Sequence, residues 1–227
     1  MPDSLAALAS LEGVASAMTA TRDGIDALLR DRGPRRTTPE QTGQSLLEGA
    51  RASGLLEGDA DADGPSTLAA IRVSTELLGL APTLLNAPSQ AIARIHVLAA
   101  HGHPEAGRPH DDRGAGRLLA VGRMLTAPTT APALVVAAVV HAELATAEPF
   151  AVGNGVVARA VERLVLVARG VDPRSLTVPE AGHLALAVAY ASNLRGYRDG
   201  GKAGVQGWLL YAAQAFAAGA EASPLRE

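Results

Sequence analysis

The feature that most restricts this chain is a pair of strongly apolar runs, residues 131 to 147 and 156 to 168, joined by Glu148-Pro149-Phe150-Ala151-Val152-Gly153-Asn154-Gly155. The unbroken stretch Ala131 to Val140 ends at His141 and Glu143. That is short of the about 20 apolar residues a bilayer span needs. Hydrophobic residues make up 48% of the chain and aromatics only 3%, so the core must be built from Ala, Leu and Val. Such small side chains suit closely packed helices better than a sheet sandwich. The second run has strand-like alternation near Val165, but its continuity from the Gly155 turn favours helix. Both runs therefore read as buried helices. Gly153-Asn154-Gly155 is a tight turn opening the second of them, which is a place to hold an anion.

The rest of the chain supplies helices around this pair. Residues 4 to 30 carry helical patterning through Leu5, Leu8, Leu11, Met18, Ile25 and Leu28, and Gly33-Pro34 marks a linker over 31 to 37. Thr38-Pro39-Glu40 is a helix start, with an N-cap, a proline in the first position and an acid in the first turn. This helix runs to about Leu56 and is capped by Gly58. Asp59, Asp61 and Asp63 precede Gly64 in a spacing like that of a calcium loop, but the closing glutamate is missing, so a solvated loop is expected. Further helices follow at 66 to 78 and 89 to 100, with a short turn between Pro82 and Pro88. Residues 101 to 114 are polar and irregular. Their histidines, His101, His103 and His110, match no metal-ligand spacing, so a flap or connector is expected. Helices at 115 to 126, 179 to 194 and 203 to 222 complete an all-α reading of about eight helices, with no internal repeat. Residues 1 to 37 read as an N-terminal helical extension, and 38 to 227 as the main domain.

Several function classes are disfavoured. The formal net charge is −3, with a single lysine, Lys202. No basic field points to nucleic acid or an anionic membrane. There are no cysteines, which removes disulfides, thiolate metal sites and cysteine nucleophiles. No signal peptide is evident, and a cytoplasmic location is expected. His141 lies on an apolar helix and reads as a hydrogen-bonded core residue. His183, Tyr190, Tyr197, Trp208 and Tyr211 read as anchors of the last two helices.

The run Glu148-Pro149-Phe150-Ala151-Val152-Gly153-Asn154-Gly155-Val156-Val157-Ala158-Arg159 resembles the signature of the Fic (Fido-domain) family, His-Pro-Phe-x-Asp/Glu-Gly-Asn-Gly-Arg-x-x-Arg. Pro149, Phe150, Gly153, Asn154, Gly155 and Arg159 match. His141-Ala142-Glu143-Leu144 before it and Val171-Asp172-Pro173 after it match in kind. A second segment, Ser53-Gly54-Leu55-Leu56-Glu57-Gly58, is similar to the family's inhibitory motif, Ser/Thr-x-x-x-Glu-Gly/Asn, on helix 38–58. The resemblance implies a Fic-like helical bundle. It also implies that Glu57 pairs with Arg159 and obstructs a nucleotide's γ-phosphate. From the residues alone, Arg159 has two candidate partners, Glu57 and Glu162.

The departures from the signature bear on function. Glu148 stands where the family has its catalytic histidine, and a carboxylate is a poor base near neutrality unless burial strengthens it. Val152 replaces the acidic residue that holds Mg²⁺, so Mg²⁺ is not expected. Val156 replaces an arginine that contacts the phosphates. Gly153, Asn154, Gly155 and Arg159 still form an anion-holding set, with Ser53, Glu57 and Gly58 as the regulatory set. The expected function is therefore a non-catalytic, weakly nucleotide-binding regulatory or interaction protein, with ATP or another nucleotide as ligand and a partner protein or self-association as its outlet. The alternatives are a divergent nucleotidyl (AMP) transferase using Glu148 as replacement base, and a structural, oligomer-forming helical protein.

Overall fold

A computed structural model describes residues 3–30, 38–61 and 63–226. The linker expected at 31 to 37 lies outside the described residues. The described residues form twelve α-helices, one 3₁₀ turn and no strand. The all-α expectation holds, and the count of about eight helices is corrected upward. The extra helices come from breaks inside runs that look continuous in sequence.

The first break separates α1 (Ser4–Ala9) from α2 (Val14–Arg30). Gly13 sits there in the left-handed region at φ +76°, a conformation that L side chains resist. Helix α3 (Pro39–Leu56) starts as expected and gains a full capping box. Thr38 Oγ1 accepts from the Gln41 N–H, and Gln41 Oε1 accepts from the Thr38 N–H. Glu57 is its C-cap, and Gly58 follows at φ +94° to turn the chain away.

The Asp59 carboxylate is used by the next helix, α4 (Pro65–Glu76). It accepts from the Ser66 and Thr67 N–H groups at 3.3 and 2.7 Å, capping a terminus that has no side-chain cap of its own. A 3₁₀ turn, Leu77–Leu80, links α4 to α5 (Ala81–Asn86). By length and apolarity alone the stretch Pro65–Asn86 would suit a bilayer span. Here the turn interrupts it, and Val73, Leu77 and Leu84 are buried in the core. Helix α6 (Pro88–Ala99) leads into the polar segment, and α7 (Asp112–Thr126) begins on the Asp111 cap, three residues earlier than expected.

At the centre lie α8 (Ala133–Ala147) and α9 (Asn154–Ala168). Every residue of α8 from Leu134 to Ala142 is buried, so over that stretch the helix has no solvent face. The expected helix 179–194 is two: α10 (Pro179–Ala185) and α11 (Ala187–Asp199), reoriented at Leu186. The last, α12 (Gly201–Glu221), contacts α2, α8, α10 and α11. Trp208 Nε1–H donates to the Ala138 carbonyl at 2.7 Å, fixing α12 against α8. Thr21 Oγ1 donates to the Ala213 carbonyl at 3.0 Å, fixing α2 against α12.

Small residues set these distances. A Cβ at Gly182 would run into the Ala215 carbonyl on α12, and one at Gly219 would meet the Val178 carbonyl at 2.7 Å. Both obstacles are backbone and cannot rotate aside. We expect Gly182→Ala to destabilise the fold by about 2–3 kcal/mol through overpacking. Urea denaturation checks this, with Gly43→Ala as the comparison, since a Cβ there meets nothing within 4 Å.

Candidate functional site

The turn between α8 and α9 is strained at its start and tied down along its length. Glu148 ends α8 at φ 44°, a left-handed conformation uncommon for a residue with a side chain. Its side chain is exposed at the rim of the site. Phe150 is buried, and its N–H donates to Asn154 Oδ1 at 2.9 Å. Asn154 Nδ2 returns a bond to the Phe150 carbonyl at 2.7 Å. Asn154 thus closes the turn on itself. Gly153 stands at φ +73° as the N-cap of α9 and offers no side-chain oxygen to the helix. The first-turn N–H groups of α9 are left without a side-chain cap.

His96 on α6 holds the same turn from outside. Its ring stacks on Phe150 with centroids 3.8 Å apart, and its Nε2 contacts the Val152 carbonyl at 3.2 Å. The Gly107 N–H donates to its Nδ1 at 2.9 Å, so Nδ1 is bare and Nε2 carries the proton. The polar segment docks through this ring, and also through the His110 N–H on the Pro149 carbonyl at 3.0 Å. Burial pushes His96 below the ordinary imidazole value.

Beside the turn lies an open recess of about 420 Å³, with Glu57, Glu148, Asn154, Gly155 and Tyr190 on its walls and Arg159 at its floor. Arg159 is 1% exposed and is held on three sides. Nε donates to Ser53 Oγ at 2.9 Å and Nη2 to the Ser53 carbonyl at 3.2 Å. Nη2 also donates to Glu57 Oε1 at 2.6 Å, and Nη1 to Tyr190 Oη at 3.2 Å. Of the two partners the sequence allows, the structure pairs Arg159 with Glu57. Glu57 Oε1 also sits against Gly155, in the space a Cβ there would take. The structure brings Ser53, Glu57, Asn154, Gly155 and Arg159 together. Gly58 stays outside, as the residue that turns the chain after α3. Val152 is exposed with a hydrocarbon side chain, and Val156 is buried at 3% exposure, so neither offers a group to a metal or a phosphate.

One turn along α9, Arg163 repeats the arrangement. It pairs with Glu180 through two nitrogens and donates to Ser45 Oγ and Ser175 Oγ. Two buried arginines therefore staple α3 to α9, Arg159 through Ser53 and Arg163 through Ser45.

Glu162, fully buried, goes elsewhere. Oε2 accepts from His183 Nε2 at 2.8 Å. Oε1 faces His141 Nδ1 at 2.9 Å, close but off the hydrogen-bond line. The other ring nitrogens meet tyrosines: His141 Nε2 to Tyr190 Oη at 2.9 Å and His183 Nδ1 to Tyr211 Oη at 2.8 Å. One ligand atom from each of His141, Glu162 and His183 lies within 4.8 Å of the others, and these atoms are already turned toward one another and toward tyrosines. Three of the four ring nitrogens already have hydrogen-bond partners, and the fourth, His141 Nδ1, faces the Glu162 carboxylate. The cluster is a hydrogen-bonded core network. Its burial opposes the Glu162 charge, yet the two imidazoles hold that carboxyl down to about 2, and burial lowers His141 below the usual imidazole value. Two neutral rings each turn one N–H toward an ionised Glu162, His183 in a hydrogen bond and His141 in a 2.9 Å contact. Sequence reasoning placed His183 and Tyr190 in the core but missed that they reach Arg159's surroundings. The available signal was Glu162, the one acid inside the second apolar run.

No family model and no curated protein matches this sequence. Solved structures do. A Fic family protein from Desulfovibrio desulfuricans superposes with a TM-score of 0.66 at 13% identity, over 91% of this chain and 73% of that one. A fragment of Fic-1 from C. elegans gives 0.69 at 15% identity, over 92% and 71%, and a single-substitution variant of it gives 0.62 at 16% identity. The chain has the fold of Fic proteins.

The buried titratable groups set an acid limit on stability. His96 and His141 are depressed in the fold, so unfolding takes up protons as the pH falls below about 6.5. Glu162 is depressed too; its contribution is present above about 4.3 and is lost as the pH falls through about 2. All three act in one direction, so unfolding free energy should decline steadily below about pH 6.5. Glu162→Gln, which leaves two ring N–H groups to share one acceptor, should cost about 3–5 kcal/mol near neutrality. Urea titrations across the pH range check both outcomes.

Proposed function

We propose, taking the Fic fold as premise, that this is a non-catalytic regulatory protein that binds nucleotide phosphates weakly at the start of α9. The observation that carries the reading is the position of Glu57. Its carboxylate rests against Gly155 and on Arg159, at a helix N-terminus whose dipole favours negative charge. The seat has the shape and charge of an anion site, and an internal anion fills it. A nucleotide must displace that carboxylate, which makes binding weak in the unaltered chain.

Chemistry at the rim favours binding over turnover. Phosphoryl-type transfer depends on positioning and on neutralising developing charge. Glu148 stands exposed, outside the buried setting that its use as a base would require. With hydrocarbon at Val152 and Val156, Mg²⁺ and a second phosphate contact lack their side chains. A protein of this kind acts through a partner chain or a second copy of itself.

Calorimetry with ATP tests the proposal. Glu57→Ala should bind about 10–100-fold more tightly than the unaltered chain, the worth of one charge-assisted contact that no longer competes. Gly155→Ala should also expel the Glu57 carboxylate yet gain nothing, because its methyl occupies the seat. Labelled ATP should leave no label on either variant. Absence of binding to Glu57→Ala at millimolar ATP, or transfer of label, would overturn the reading.

A further inference from the structure

We infer that Tyr190 is a positioning residue for the anion seat, holding Arg159 in place as the open end of a buried relay through His141 to Glu162. The inference rests on the anion-binding reading and concerns what remains when a ligand replaces Glu57. Arg159 then keeps Ser53, which approaches from α3. From the opposite side, on α11, it keeps only Tyr190. The guanidinium stays aimed at the seat because it is gripped from both flanks.

The relay has one self-consistent direction. Tyr190 is 7% exposed, so its hydroxyl hydrogen needs a protein acceptor. His141 Nε2, at 2.9 Å, is that acceptor if it is bare. The ring proton must then be on Nδ1, which faces Glu162 Oε1 at 2.9 Å. The second arm mirrors the first: Tyr211 Oη–H to His183 Nδ1, and His183 Nε2–H to Glu162 Oε2. With every hydrogen assigned, Tyr190 Oη offers a lone pair to Arg159 Nη1. The buried carboxylate thus sets, through one imidazole, which way a tyrosine at the site wall points its proton.

Protonating His141 reverses this. A cationic ring presents an N–H to Tyr190, whose oxygen would then face donors from both His141 and Arg159 while its own hydrogen has no acceptor. The charged and titratable groups that bear on His141 are Glu162 and Arg159 on α9, His183 on α10 and Tyr190 on α11, and α12 presents the uncharged Trp208 ring edge-on to it. Burial depresses His141 most and Glu162 pulls the other way. The grip on Arg159 therefore holds at neutral pH and is released as His141 takes up a proton below about 6.5.

The probe is inorganic sulfate, whose charge is constant over this range, titrated by NMR into Glu57→Ala protein at several pH values. Glu57→Ala should lose several-fold in affinity on acidification. Adding Tyr190→Phe should weaken binding about fivefold or more near neutrality and flatten the pH profile. Adding His141→Gln, whose amide oxygen can accept from Tyr190 but does not titrate, should weaken binding less and also flatten the profile. A packing role alone would lower thermal stability without removing the acid loss. If Tyr190→Phe does not fold, the His141→Gln profile decides. Equal affinity with an unchanged acid loss in Tyr190→Phe, or an acid loss persisting in His141→Gln, overturns the inference and leaves the anion seat standing. No sulfate binding by Glu57→Ala at any pH removes the seat, and the inference with it.

Discussion

A guanidinium cannot leave water alone, and the architecture around the site follows from where Arg159 finds its partners. At 1% exposure it needs acceptors on every side, since an unpaired buried charge costs several kcal/mol. Ser53, Glu57 and Tyr190 supply them from two helices that neighbour α9. The position of α3 over the recess is thereby a consequence of solvating one side chain. Arg163 repeats the logic with Ser45, Ser175 and Glu180. The two arginines are four residues apart, so they share a face of α9 and fix α3 in both position and register.

Directional bonds matter more here than in an aromatic-rich core. Alanine and valine bury little area each and interlock weakly, so many helix registers would bury similar apolar surface. The close crossings at Gly182 and Gly219 remove some of those registers by steric exclusion. The buried network of Glu162, His141, His183, Tyr190 and Tyr211 removes others, because a half-satisfied polar group costs more than an apolar one. Five helices contribute to that network and its extension to Arg159. The same bonds that specify the core therefore end on a residue at the floor of the recess.

Much of the fold is legible in the residues. The two apolar runs read as the central pair, and Thr38-Pro39-Glu40 reads as the start of α3. What escaped is the set of breaks. Nothing in the composition of 4 to 30 or of 179 to 194 forces an interruption at Gly13 or Leu186. Each occurs where the helix must change direction to cover its neighbour. The acidic loop reads as solvated in the sequence, and in the structure Asp59 caps α4, a use that depends on two segments approaching through Gly54 and Thr67.

For the site, the local signals and the distant ones divide cleanly. The sequence by itself determined the turn at Gly153-Asn154-Gly155, the helix it opens, and the residue types at positions 148, 152 and 156. These are fixed by local backbone chemistry and by side-chain identity. Only the tertiary structure decided that Arg159 takes Glu57 and leaves Glu162 to two histidines, and that Tyr190 stands between the recess and the core. Those choices depend on which polar groups are carried into low dielectric together, and pairs separated by 21 to 106 residues meet only once the helices have packed.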